Sequence, residues 1–126
     1  MSRRHTEAFD GLRNRPEMFV HRNDFSSVAA FVDGYNSACD GGPLCGFREW
    51  LALRANCGSN WTWSALVLHL AGAIEHSGQS LKPEHESAAI DALFSLFEQF
   101  SMERAGPDGL SRIFAAYDAW RRDMAR

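Results

Sequence analysis

Lysine is nearly missing from this chain, with Lys82 its one example, and the 13 basic and 16 acidic residues leave a net charge of -3. The arginines collect toward the ends, at Arg3, Arg4, Arg13, Arg15 and Arg22 and again at Arg121, Arg122 and Arg126. That balance lacks the broad basic field with which proteins hold nucleic acid, so no direct nucleic-acid partner is expected. Long apolar runs are also missing: "ALVLHLAGAI" is too short to cross a bilayer, and "MSRRHTEAF" has no apolar stretch of signal-peptide length. The expectation is a cytoplasmic protein without a membrane partner. Three cysteines, Cys39, Cys45 and Cys57, cannot all be paired within one chain and suit a reducing compartment.

Several chemistries lack their motifs. "CDGGPLCG" has glycines but not the Gly-Lys-Ser/Thr of a phosphate loop, and the GxGxxG pattern of dinucleotide sites does not occur. The cysteines are separated by five and eleven residues, with no Cys-x-x-Cys pair. His69 and His76 lie seven apart, roughly 10 Å along a helix and too far to share one ion. Glu84 and Glu86 flank His85 like an acid–base group, yet at the start of a helix the dipole accounts for the acids. From these patterns no catalytic residue, metal ligand or cofactor is expected.

What the sequence does contain is helical spacing, almost end to end. A chain of 126 residues is about one domain. A first helix is expected over about 4–13, followed by a new direction at Pro16, with "MFV" at 18–20 extended or tucked against the core. Asp24 or Ser26 can cap a helix to about residue 39, with Phe25, Val28, Phe31, Val32 and Tyr35 on one face. "DGGP" ends it. A shorter helix over 45–55 turns Phe47, Trp50, Leu51 and Leu53 inward and leaves Arg48, Glu49 and Arg54 toward water. Ser59 or Asn60 then caps a helix from Trp61 to about His76, the most apolar and so the expected central one. Pro83 opens a helix whose Ile90, Leu93, Phe94, Phe97 and Phe100 make an aromatic face. After "AGPDG" the last helix runs over about 108–124, burying Leu110, Ile113, Phe114, Tyr117 and Trp120. With no alternating run, the expected fold is all-α, a single-domain bundle of five or six helices.

Candidate binding residues follow from this layout. Trp61 and Trp63, two apart, cannot both enter the same core; one covers the flank of the Trp50 helix and the other is partly exposed, near Arg48, as at a binding hot spot. Glu84, Glu86, Asp91, Glu98 and Glu103 follow the outside of one helix with few cations between them. Such a stripe is either a solvated face or a surface for a basic partner.

"RPEMF" at 15–19 resembles the Arg-Pro-Gly-Met-Tyr segment of the DNA gyrase B ATPase domain, but the Asp-Gly-x-Gly motif and lid segments of that enzyme do not follow, and the segment reads as a turn. Together "RPEMF", "FVDGY" and "FREWL", over roughly residues 12–55, resemble the small helical immunity and antitoxin proteins of bacterial polymorphic-toxin and contact-dependent inhibition systems. The resemblance implies a protein that performs no chemistry and blocks the active site of a toxin domain. Two other readings stay open: a helical ligand-binding domain or enzyme with a pocket near Trp61, Trp63, His69 and Arg48, and a subunit of a larger assembly.

Overall fold

Asp24 shows how local chemistry starts a helix here. Its Oδ1 accepts the Ser27 N–H at 2.8 Å, and α2 (Phe25–Ala38) begins at the next residue. The computed structural model describes residues 3–125 and, among them, six α-helices and no strand. Besides α2 these are α1 (Arg3–Asn14), α3 (Phe47–Ala55), α4 (Trp63–Leu70), α5 (Glu86–Arg104) and α6 (Gly109–Met124). Single 3₁₀ turns at Pro16–Met18 and Pro83–His85 precede α2 and α5.

The bundle is built around α5, which packs against α2, α3, α4 and α6, while α3 also packs on α4 and α6. The central position falls to α5 rather than to the 61–76 segment, because that segment stops being helical early. Gly72 adopts φ +75°, its N–H reaches the His69 carbonyl at 3.0 Å, and the Ala73 N–H reaches that of Leu68 at 2.9 Å. This paired closure over a left-handed glycine is a Schellman stop. It leaves Ile74 buried but outside the helix, and takes His76 off it altogether. At the other end the cap is Thr62, which accepts the Ala65 N–H, so Trp61 also lies outside α4.

The core is a contiguous cluster of rings and aliphatic chains. Phe47 and Phe100, both without exposure, sit at its centre. The Phe47 ring lies 5.2 Å from Phe100, 5.3 Å from Phe97, 5.9 Å from Trp63 and 6.2 Å from Trp50. Leu12, Val28, Leu51, Leu66, Val67 and Leu93 close around them.

Two stretches depart from the expected burial. Met18 is 69% exposed and Phe19 is 41% exposed, so neither is tucked into the core. Pro16 starts one tight turn, closed by the Phe19 and Val20 N–H groups on its carbonyl, and instead of extending 18–20 that turn leaves Met18 in solvent, sets the Phe19 ring 5.6 Å from Phe31 and returns Val20 to the core. On α6 only Gly109, Ile113 and Tyr117 are buried. Leu110 and Trp120 are half-buried and Phe114 is 38% exposed, because the helix meets the bundle through a narrow stripe.

Candidate partner-binding site

The residues expected to form an acidic face take up different duties. Glu86, in the first turn of α5, crosses to α2, where its Oε2 accepts the Phe25 N–H at 2.7 Å. It satisfies one of the free donors that every helix start leaves, 61 residues away in sequence. Glu103 accepts a hydrogen bond from the Trp50 indole. Glu98 pairs with Arg13 of α1 at 3.8 Å. Glu84 and Asp91 remain exposed. The stripe is therefore divided between cross-helix fastening and open surface.

Trp61 and Trp63 are half-buried and face different neighbours, as their two-residue spacing requires. Trp63 packs on Phe47 and donates its indole N–H to Asp33 at 2.7 Å. Trp61 folds over Gly58, and His69 meets its ring edge-on at 5.5 Å. The His69 Nδ1 is buried without a hydrogen-bond partner. Arg48 is half-buried rather than solvated: it donates to the Ser59 carbonyl at 2.7 Å and to Glu49 at 3.0 Å, and its guanidinium lies 5.6 Å from the Tyr117 ring. Tyr117 donates to the same Ser59 carbonyl at 3.3 Å. Arg48, Trp61 and Trp63 thus hold the α3–α4 connection to the bundle and are not gathered into one pocket.

A different surface is open. Between α1 and the second half of α5 runs a groove of about 500 Å³ floored by Phe9, Phe94 and Phe97. Met102, 73% exposed, stands at its edge. The α5 residues along it, Phe94, Phe97, Glu98, Ser101 and Met102, and its C-cap Ala105 recur at three- and four-residue steps, one stripe of a helix. A smaller hollow of about 310 Å³ continues the same stripe toward the start of α5, past Asp91, Ile90 and Ser87. The two meet at Arg13 and Phe94. Arg13 bridges the meeting point, its guanidinium 5.8 Å from the Phe94 ring and 3.8 Å from the Glu98 carboxylate. Asp10, Glu86, Asp91 and Glu98 line these two hollows against that single guanidinium.

Sequence reasoning singled out Asp91 and Glu98 but did not show the groove, because α1 contributes one wall of it and nothing local says that α1 lies against α5. The four-residue recurrence of Phe94, Glu98 and Met102 was the available signal. Among the described residues no group of three His, Cys, Asp or Glu side chains is placed to hold a metal ion, and Cys39, Cys45 and Cys57 are free thiols. No helix among them is long and apolar enough to cross a membrane. No family model, curated protein or solved structure matches this chain.

Proposed function

We propose that this chain is a non-catalytic binding protein that takes a protein partner along the α1–α5 groove, in the manner of an immunity protein occluding a toxin domain. The observation that carries the reading is a Met102 side chain 73% exposed at a groove lined by the rings of Phe9, Phe94 and Phe97, which are themselves only 5–7% exposed. Exposed apolar chains rimmed by charge mark interaction surfaces, and methionine adapts its unbranched chain to whatever packs on it. The acidic rim supplies orientation: Glu98 and Asp91 belong to the surface the partner meets, while Glu86 fastens α2 to α5 and supports it from behind.

The test is affinity capture of the tagged chain from its own cells, side by side with Met102→Asp. A stoichiometric protein bound to the first and lost from the second, with unchanged circular dichroism, supports the reading. Retention of the same protein by Met102→Asp, or recovery of the chain with only a small molecule bound, overturns it. A small molecule whose retention depends on Trp61 and His69 favours the ligand-binding alternative instead.

A further inference from the structure

We infer that the groove between α1 and α5 is built for the apolar face of a short basic amphipathic helix, with Arg13 holding the place of the partner's own cation. The inference rests on the partner-binding reading and adds the chemistry of the partner. From Phe94 to the Ala105 C-cap the groove follows the last three turns of α5, about 16 Å. A helix laid there presents side chains at i, i+3 and i+4 to an α5 stripe, Phe94, Phe97, Glu98, Ser101 and Met102, spaced the same way.

Charge selects the flanks of that helix. Asp10 on one wall and Glu98 on the other are exposed carboxylates, Asp91 follows beyond, and among the described residues the lining contains no lysine and no arginine besides Arg13. A segment with lysine or arginine beside its apolar face meets opposite charge on both walls, and an acidic one meets repulsion. Arg13 already shows how a cation sits in this environment. Its guanidinium lies 5.8 Å from the Phe94 ring and faces Glu98 at 3.8 Å, with 45% of the side chain still exposed. Being held by one exposed ion pair, it is weakly retained and easily displaced.

The experiment uses the full chain and two 14-residue helical peptides, one of leucine and lysine and one with each lysine replaced by glutamate, read by fluorescence anisotropy at low and high salt. The leucine–lysine peptide is expected to bind at least about tenfold tighter, with amide shifts centred on Phe94 and Met102. Glu98→Lys combined with Asp10→Lys reverses the preference, while Asp118→Lys, on α6 outside the groove, leaves it unchanged. Arg13→Ala tightens the basic peptide about three- to fivefold, the scale of one exposed ion pair released.

Equal binding of the two peptides, shifts centred elsewhere, an equal loss in Asp118→Lys, or weakening by Arg13→Ala overturns the inference. A dimer in light scattering that Met102→Asp dissociates overturns it too, assigning the groove to a second copy. If the peptides fail while a Met102-dependent partner is captured, the helix chemistry is wrong and the binding reading stands. If no such partner exists, the binding reading itself has failed.

Discussion

Glu86 is where a side chain of apparently routine placement turns out to connect two helices. A glutamate in a first helical turn is favoured by the dipole alone, but this one accepts the Phe25 N–H at 2.7 Å and so fastens the start of α2 to the start of α5. Glu86→Ala leaves that donor half-buried and unpaired, with an expected cost of about 1–2 kcal/mol. Glu86→Gln retains an acceptor oxygen and recovers most of it, as thermal melts of the two variants would show. Asp24 beside it predicts a pH effect. Its side-chain hydrogen bond with Ser27 is the main reason its carboxyl titrates below the usual range, helped by the backbone bond to Ser27 and by Arg22, with burial opposing. A carboxyl whose folded pKa is lowered stabilises above the unfolded pKa, and that contribution is lost as pH falls through the folded value. Asp24→Asn keeps a capping oxygen without the charge, so its melting temperature should fall less than the parent's between pH 5 and 2, to about the extent that Asp24 titrates there. Equal acid sensitivity in both proteins would remove Asp24 from the account.

At the scale of elements, junctions decide more than helix interiors do. Where α5 turns into α6, a Cβ added to Gly109 would lie 2.4 Å from the carbonyl oxygens of Glu103 and Arg104, which are backbone and cannot rotate away. Gly109→Ala is expected to cost about 1–3 kcal/mol by overpacking, measured by denaturant melts. The α3–α4 connection depends on Arg48 and Tyr117 converging on the Ser59 carbonyl. Arg48→Ala should speed amide exchange around residues 57–61 while the helices stay protected, because the loop has few other ties. Arg104 plays the matching part for the α2–α3 connection, donating to the Gly42 carbonyl at 2.7 Å and to that of Pro43 at 3.2 Å.

Across the whole molecule, the core and the proposed binding groove share Phe9, Phe94 and Phe97, and they part at Phe47 on the inside and Met102 on the outside. Phe47 contacts rings from three helices at once and has no exposure, so Phe47→Ala should cost about 3–5 kcal/mol, a large share of what a domain of this kind possesses. Met102 is mostly in solvent, and Met102→Asp should shift the melt by no more than about 0.5 kcal/mol. A large loss of stability there would mean that Met102 packs against the bundle and does not serve as free binding surface.

The all-α class, a count of five or six helices and most of the buried face of α2 and α5 were legible in the sequence, because helical periodicity and caps are properties of adjacent residues. Val28 and Val32, or Leu93, Phe97 and Phe100, declare their side of a helix by spacing alone. The early end of α4 was written there as Gly72, but a glycine inside an apolar run becomes a stop only when the chain adopts the left-handed conformation it permits. Other features belong to the tertiary structure. Glu86 meets Phe25 across 61 residues, Arg13 meets Glu98 across α1 and α5, and Trp61 and Trp63 part to different neighbours. The reason is physical: periodicity tells which face of a helix is apolar, whereas the groove exists only where two such faces approach without closing, and that depends on which helices are neighbours.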